Sequence, residues 1–347
     1  MASEEAILEA LRQVKLPGGG QDLVTLGLVK KVKEAGGIVA ITIEKPAIAG
    51  FDQATYEALL RDAVKRVAGA QDVAVLFTES QVPQGPPRPA GIKHIIAIGS
   101  GKGGVGKSTV SANLALALAS TGARVGLLDA DIYGPSIPFM MGASGEKPAV
   151  KDEKLQPIVR HGVKLMSMGF LLPNPEDPVV WRGPMLASAL KQFIKDVAWG
   201  ELDYLLIDLP PGTGDVPLTM VQSIPLSGAV IVITPQPVAA AIGIKTLRML
   251  QQSQVPILGM IENMSHFTCP ECRHETAIFD RGGGHRTSEQ EHVPFLGEIP
   301  LDPKIRQSGD VGRPVFVDEP NAPQAKAFQA IAEALAKAVA APTPGAV

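Results

Sequence analysis

The sequence predicts an α/β fold, in which a doubly wound and mostly parallel sheet follows a small α+β domain. Short apolar runs alternate with longer helical patterns after residue 91, which is typical of parallel strands buried on both faces. Residues 81–91 contain four prolines, which favour an extended and semi-rigid path and therefore predict a linker. Residues 1–80 are then the predicted small domain, and residues 92–340 are the predicted larger one.

The first domain is predicted from local patterns of apolar and turn-forming residues. A helix is expected from Ser3 to Val14, followed by a turn at Gly18-Gly19-Gly20. Alternating apolar residues from Ile38 to Ile43 predict a strand. A helix from Asp52 to Val67 and a strand from Val73 to Phe77 complete this α+β domain.

The second domain is predicted from short apolar runs that have the length of buried strands. These runs are Ile92–Ile98, Arg124–Leu128, Tyr204–Ile207, Ala229–Ile233 and Ile257–Ile261. Ligands of such sheets bind at the carboxyl ends of the strands, so the residues after each run are the ones to search for chemistry. The Ala-rich segment Pro323–Ala340 predicts a last helix, and residues 341–347 are expected to form a disordered tail.

Composition limits the classes of protein that fit. With 347 residues and a 45% hydrophobic composition, the chain can bury one large core and a second, smaller one. The net charge of -3 gives no excess positive field, so general binding of nucleic acid is not expected. Glu4 and Glu5 stand where a signal peptide needs basic residues, and no run approaches the roughly 18 apolar residues of a membrane span. A cytoplasmic protein without a membrane partner is expected.

A glycine-rich loop follows the first predicted strand of the second domain. The loop, called the P-loop below, consists of Gly101, Lys102, Gly103, Gly104, Val105, Gly106, Lys107, Ser108 and Thr109. It matches G-x-x-x-x-G-K-S between a strand and a helix, which is the context that a phosphate-binding loop requires. Lys107 is expected to reach the β- and γ-phosphates of ATP, and Ser108 to ligate Mg²⁺. The alternative, a glycine-rich turn that only opens a helix, does not account for this context.

Carboxylates follow two of the predicted strands. Asp129 and Asp131 come directly after one strand, and Asp208 ends another. Asp208 is the candidate Walker B residue, which holds Mg²⁺ directly or through water, and Gly212 could offer its N–H to the γ-phosphate. The alternative is that these aspartates only cap helices or turns.

The two cysteines, Cys269 and Cys272, lie three positions apart in a polar segment. A thioredoxin-like redox pair, a zinc site that recruits His266, His274 or His285, and simple packing in a core are three interpretations. A fourth interpretation uses symmetry, because a two-fold axis would turn two cysteines per chain into the four thiolates of a 4Fe–4S cluster. The spacing alone leaves these interpretations open.

Taken together, the motifs resemble the Mrp/ApbC-type iron–sulfur cluster carriers of the MinD/Mrp class of P-loop NTPases. The matching segments are the deviant Walker A loop Gly101–Thr109, Leu128–Ser136, Asp208–Asp215, and Glu262–Met264 followed by Cys269-Pro270-Glu271-Cys272. The first domain is similar to the MIP18-like group through Leu23–Val29. It departs from that group at Lys15–Gly20, where Asp-Pro-Glu is usual, so a role resting on those acids is in doubt.

The resemblance implies a role for several residues. Lys102 would reach across a homodimer to the partner's nucleotide, although it could also be an ordinary solvated lysine. Asp129 would belong to the outer shell of Mg²⁺, Asp131 would orient the attacking water, and Asn263 would read adenine. Lys107 and Asp208 complete the implied catalytic set.

The implied function is ATP hydrolysis coupled to carriage of a 4Fe–4S cluster. A homodimer would bind the cluster at its interface, with cluster scaffold proteins and apo iron–sulfur proteins as partners. A positioning ATPase like MinD or ParA, with a structural zinc at the cysteines, is the first alternative, but it would need a basic amphipathic tail or patch. The last predicted helix offers Lys326 and Lys337 among alanines. A reductase of the nitrogenase iron-protein kind is the second alternative, and its cysteines are widely separated in sequence.

Overall fold

A computed structural model describes residues 4–15, 22–25, 28–35, 37–44, 52–67, 70, 72–78, 88–171 and 183–340. These residues fall into two compact units, which divide between residues 84 and 85, inside the predicted linker. The predicted turn at Gly18-Gly19-Gly20, most of the linker and the tail 341–347 lie outside the described residues.

The first unit packs two helices against a three-stranded sheet. Its elements are α1 (Glu4–Arg12), β1 (Val29–Ala35), β2 (Ile38–Glu44), α2 (Gln53–Lys65) and β3 (Asp72–Thr78). The strand order is β1-β2-β3, with β1 antiparallel and β3 parallel to β2. Ile7 and Leu60 of the helices are buried with Ile41 of β2, so the alternating apolar residues of β2 face the core.

The second unit is built around a nine-stranded sheet. The strands of this sheet are β4 (Ile92–Gly99), β5 (Val125–Asp129), β8 (Ile158–Arg160), β9 (Val163–Ser167), β10 (Leu202–Asp208), β11 (Gly228–Ile233), β12 (Ile257–Thr268), β13 (Glu275–Thr276) and β14 (Phe295–Leu301). Two further strands, β6 (Val150–Lys151) and β7 (Lys154–Leu155), pair antiparallel with each other as a separate two-stranded sheet of this unit. Its helices are α3 (Lys107–Ser120), α4 (Ile137–Met140), α5 (Gly183–Asp196), α6 (Asp215–Ser223), α7 (Pro237–Gln252), α8 (Gly283–Gln290), α9 (Pro303–Asp310), α10 (Val315–Asp318) and α11 (Pro323–Ala340).

The order of the large sheet is β13-β12-β11-β4-β10-β5-β9-β8, with β14 also paired to β12. The central pairs are all parallel, whereas β8 and β13 pair antiparallel. The predicted fold class is therefore confirmed. Because the central strands are parallel, the residues after β4, β5, β10, β11 and β12 meet at one edge of the sheet.

No helix in the described part of the chain is both long enough and apolar enough to cross a bilayer.

Candidate nucleotide and cysteine sites

The P-loop connects β4 to α3, and close packing explains two of its glycines. A Cβ atom on Gly101 would lie 2.5 Å from the carbonyl carbon of Ile242 in α7. Gly106 adopts a left-handed φ of 80°, and a Cβ atom there would collide with the side-chain amide of Asn263. A larger residue at either position would displace the loop from α7 or from β12.

Asp208 gathers three side chains at the end of β10. One carboxylate oxygen, Oδ2, lies 2.7 Å from Lys107 Nζ and 2.6 Å from Ser108 Oγ. The other oxygen accepts a hydrogen bond of 2.6 Å from Ser111 Oγ. Asp208 is fully buried, so it has exchanged water for these donors. The structure thus brings together Lys107, Ser108 and Asp208, as the motifs predict, and adds Ser111, which no motif indicated.

Asp129 lies beside Asp208 because β5 and β10 are paired in register at these two residues. Its oxygens accept hydrogen bonds from the N–H groups of Asp131 and Ile137 and from Ser167 Oγ, at 3.1 to 3.2 Å. Burial, and then repulsion from Asp208, raise the pKa of Asp129. Two buried carboxylates on adjacent strand ends make a site that favours a divalent cation.

Two adjoining cavities open above this edge of the sheet. The smaller, of about 230 Å³, is lined by the P-loop together with Ser100, Asp131 and Pro211. Burial raises the pKa of Asp131, which is 9% exposed at its wall. The larger cavity, of about 460 Å³, shares Gly106 and Thr109 with the smaller one. A phosphate chain in the small cavity would therefore place its nucleoside in the large one.

The large cavity contains most of the site residues that sequence motifs did not indicate. They come from β14, α9 and the residue between these elements: Leu301, Asp302, Ile305, Arg306 and Asp310. Met264, from the matching segment Glu262–Met264, lines the cavity as well. Asn263 also lines it, and its Nδ2 donates a 2.8 Å hydrogen bond to the Val105 carbonyl of the P-loop. Asn263 is therefore placed between the nucleoside cavity and the P-loop, and its role with adenine stays a prediction.

Lys102 and Gly212 both make contacts within the chain. Lys102 Nζ donates to Gln236 Oε1 at 3.2 Å, and the Gly212 N–H donates to the Ser100 carbonyl at 2.9 Å. Gln236, which follows β11, was not indicated by any motif. Lys102 is predicted to contact a partner's nucleotide, and Gly212 is predicted to contact a γ-phosphate. Each residue must break its present hydrogen bond to make the predicted contact.

The cysteines lie on a turn between β12 and β13, which are paired antiparallel. Cys269 is half-buried and Cys272 is exposed. Hydrogen bonds from the N–H groups of Cys272 and Glu271, and then from the Cys272 side chain, lower the pKa of the Cys269 thiol. A lowered thiol pKa favours the thiolate, which is the form that ligates metal.

This environment separates the interpretations of the cysteine pair. The pair does not open a helix, as a thioredoxin-like redox pair would, and the exposure of Cys272 argues against packing in a core. Across the residues that the structure describes, no three His, Cys, Asp or Glu side chains are grouped to hold a metal ion. His266 instead lies 2.9 Å from Ser265 Oγ. The histidines of the zinc interpretation are thus not assembled with the cysteines.

The fold and the loop define a P-loop NTPase, and the comparisons refine that class. Residues 91–336 match the family described as NUBPL iron-transfer P-loop NTPase, and residues 4–77 match the one described as iron-sulfur cluster assembly protein. The chain belongs to the NUBPL iron-transfer P-loop NTPase family and is of the Mrp/ApbC type.

Two relatives that match along nearly the whole chain carry the same name. An iron-sulfur cluster carrier protein of Synechocystis is 45% identical over 351 residues, which cover 97% of this chain and 98% of that protein. The protein of the same name from Deinococcus radiodurans is 44% identical, over 96% of this chain and 94% of its own.

Solved structures resemble the second unit. A nucleotide-binding protein from Archaeoglobus fulgidus in complex with ADP is 44% identical, with a TM-score of 0.61 over 70% of this chain and 94% of its own. The cell division ATPase MinD of Pyrococcus furiosus is 25% identical, with a TM-score of 0.55 over 70% of this chain and 98% of its own.

Proposed function

We propose that the protein is an ATP-hydrolysing carrier that receives a 4Fe–4S cluster from scaffold proteins and passes it to apo iron–sulfur proteins. The cluster is its cargo and is held by Cys269 and Cys272 of two chains in a homodimer. The names of the relatives support carriage. The observation that carries the proposal is a cysteine turn with a lowered thiol pKa that directly follows β12, the strand that contacts the P-loop.

The nucleotide site supports hydrolysis assisted by Mg²⁺. Ser108, Asp129 and Asp208 offer only oxygen donors, which Mg²⁺ prefers, and a cation would relieve the repulsion between the two buried carboxylates. When bound, Mg²⁺ supplies charge neutralisation at the phosphate oxygens.

The protein's own residues then have separable tasks. When nucleotide binds, Lys107 leaves Asp208 and contacts the phosphates instead. The P-loop N–H groups and the N-terminus of α3 hold the phosphate chain. Asp131, at the wall of the phosphate cavity, orients the attacking water. Lys102 leaves Gln236 and reaches the nucleotide of the partner chain.

The cysteine turn supports a shared cluster because each chain offers two thiols. Four thiolates are the usual ligand set of a 4Fe–4S cluster, and a two-fold axis supplies them from two chains. Nucleotide state reaches the turn through β12, in which Asn263 contacts the P-loop carbonyl of Val105 and the chain continues to Cys269. Loops that contact the γ-phosphate rearrange on hydrolysis. This rearrangement would change the contact between the cysteine turns of the two chains.

The domain organisation is part of the same proposal. The two compact units support a small first domain over residues 1–80 and an ATPase domain over residues 92–340, joined by the linker 81–91. The MinD-like alternative is not favoured, since the relatives that match along both units are named as cluster carriers.

Anaerobic reconstitution with iron and sulfide tests the proposal. Wild type should bind about four irons per dimer, as one shared cluster requires, and should transfer them to an apoprotein. Cys269→Ser and Cys272→Ser should each lose cluster and transfer while retaining part of the ATPase activity, because each change removes two of four ligands. Glu271→Gln is the matched control, since it alters the same turn but keeps both thiols. A full cluster on a monomer, or zinc at both cysteines with no uptake of iron, would contradict the proposal.

A further inference from the structure

A groove away from the nucleotide and cysteine sites opens where β4 and β10 begin. It has a volume of about 640 Å³ and is bordered by the C-terminal half of α5. Since β4 and β10 are parallel, this edge of the sheet is opposite the one that carries the P-loop and Asp208. Neither the P-loop, the carboxylates nor the cysteines line it.

The floor of the groove is apolar and firmly held. Ile92, Ile194, Val197 and Trp199 line it and are each at most 5% exposed. The Trp199 indole Nε1 donates a 2.9 Å hydrogen bond to the Phe193 carbonyl, so the polar end of the ring is satisfied inside the protein. The base of the groove is therefore preformed, and the small part of these four side chains that stays exposed there is apolar.

The rim of the groove is basic, and the cations come from separate elements. Arg88 precedes β4, Lys154 lies in β7, and Lys191 and Lys195 are one turn apart on α5, so they point the same way. All four are exposed. Within the described ranges, Lys154, Lys191 and Lys195 have no ion pair with a carboxylate.

A single acidic residue, Glu201, lines the groove among the residues that the structure describes. Its carboxylate lies 4.0 Å from Arg124 Nη1, which partly balances its charge. The groove is thus positive in a protein whose net charge is -3. A local excess of positive charge beside an apolar floor is complementary to a ligand that carries both carboxylates and an apolar side chain.

We propose that this basic groove binds an acidic peptide segment of a partner protein. One apolar side chain of the segment lies on the floor formed by Ile194 and Trp199, and its carboxylates face Lys154, Lys191 and Lys195. The volume is within the roughly 300–1,000 Å³ of sites that enclose small ligands, so it takes a few side chains and not a folded domain. Nucleic acid fits less well, because the cations surround one apolar pocket and do not form an extended stripe.

The proposal goes beyond cluster carriage, since it needs neither the cysteines nor ATP. Binding to the full-length protein is measured by fluorescence anisotropy with a short labelled peptide of alternating glutamate and leucine. Its counterpart, with lysine in place of glutamate, is the charge control. We expect the acidic peptide to bind, the basic one not to bind, and affinity to fall as salt is raised.

Variants locate the binding. Lys191→Glu with Lys195→Glu should weaken binding of the acidic peptide at least about tenfold and leave ATP hydrolysis unchanged, because reversed charge at the rim repels carboxylates. The matched control is Lys326→Glu with Lys337→Glu, which changes the net charge equally on the exposed face of α11 and should leave binding within about twofold.

Some outcomes would overturn the proposal. The proposal fails if wild type does not bind the acidic peptide, or if both double variants lose the same affinity for it. It also fails if the basic peptide binds equally well, or if duplex DNA or anionic vesicles displace the acidic peptide at charge-equivalent concentrations. Cluster content is measured in parallel, so a failure of cluster carriage is seen separately.

Discussion

Lys107 and Lys102 belong to the same loop but have different partners in the structure. Lys107 is buried and paired with Asp208, whereas Lys102 is half-buried and its ammonium donates to Gln236. At the scale of single residues, the buried ion pair supports an intrachain role for Lys107. The role proposed for Lys102 across a dimer requires it to leave its contact with Gln236.

Substitution of each lysine by alanine tests the distinction. Lys107→Ala should abolish tight ATP binding, because the phosphates lose a cation inside their own cavity. Lys102→Ala should keep affinity within a few-fold and lower the hydrolysis rate on the order of a hundredfold, as expected for a charge that acts in the transition state. Isothermal titration and phosphate release measure the two effects. Equal loss of affinity in both variants would remove the basis for the assignment.

Asp208 allows a second test at this scale. Asp208→Asn should lower turnover with Mg²⁺ on the order of a hundredfold while changing nucleotide affinity much less, since the carboxylate matters most as transition-state charge develops. Ser111→Ala is the control, because it removes one hydrogen bond to the same carboxylate and leaves Lys107 and Ser108 in place. Thermal unfolding is followed in both variants, because loss of a buried ion-pair partner also destabilises the fold. Wild-type turnover in Asp208→Asn would show that another residue is Walker B.

Among the elements, β12 is the one that connects the two proposed sites. Asn263 bonds the P-loop, and the strand continues to Thr268, directly before Cys269. The left-handed φ of 60° at Met264 and a shift in register with β14 mark an irregularity between the two contacts. An irregular strand is a natural place for the two ends to move relative to each other.

Asn263→Ala should separate nucleotide state from cluster retention. In wild type, ATP is expected to change the rate at which a chelator removes iron, and this change should disappear in the variant because the contact with Val105 is lost. Ser265→Ala, on the same strand, is the control, since the Ser265 hydroxyl donates to the Ile299 carbonyl of β14 and not to the P-loop. Iron loss is followed by absorbance with and without ATP. An unchanged ATP effect in Asn263→Ala would place the connection elsewhere.

The elements also show what the sequence could predict. All five apolar runs form strands, because each is short, buried and bounded by polar or turn-forming residues. β1 was not predicted, because its three lysines interrupt the apolar pattern of a strand, as is common at the edge of a sheet. β14 contains Gly297 and Pro300, which weaken any strand pattern. β14 nevertheless forms a strand because it pairs with β12, so tertiary contacts determine its structure more than local propensity does.

The candidate site likewise contains residues that local sequence specifies and residues that only tertiary packing brings into place. The P-loop and Asp208 could be predicted because local spacing and strand ends specify them. Leu301 and Arg306, in contrast, reach the nucleoside cavity only because β14 and α9 pack beside β12. No local motif marks such residues, and only the folded arrangement reveals them.

At the scale of the whole molecule, the second unit separates its proposed tasks between two edges of one sheet. The cavity beside the P-loop and the cysteine turn lie at the carboxyl ends of the strands, and the basic groove lies at the amino ends. A partner peptide in the groove would therefore leave the face proposed for the homodimer free.

The homodimer itself is tested by size. Protein reconstituted with iron should be a dimer by light scattering, and chelation of the iron without nucleotide should shift it towards monomer, because the shared cluster supplies part of the contact. Cys269→Ser protein, treated in the same way, is the control and should not respond to chelation. A wild-type dimer that is equally stable with and without iron would show that the cluster does not bridge the chains.

The cysteine turn has a further consequence for the unloaded protein. The thiolate that the lowered pKa of Cys269 favours is also the form that peroxide oxidises, first to a sulfenic acid, and Cys272 stands close enough to condense with it. A chain without the proposed cluster would thus be vulnerable at the two sulfur atoms that the cluster requires. Air and peroxide should therefore oxidise the thiols of empty molecules before those of loaded ones.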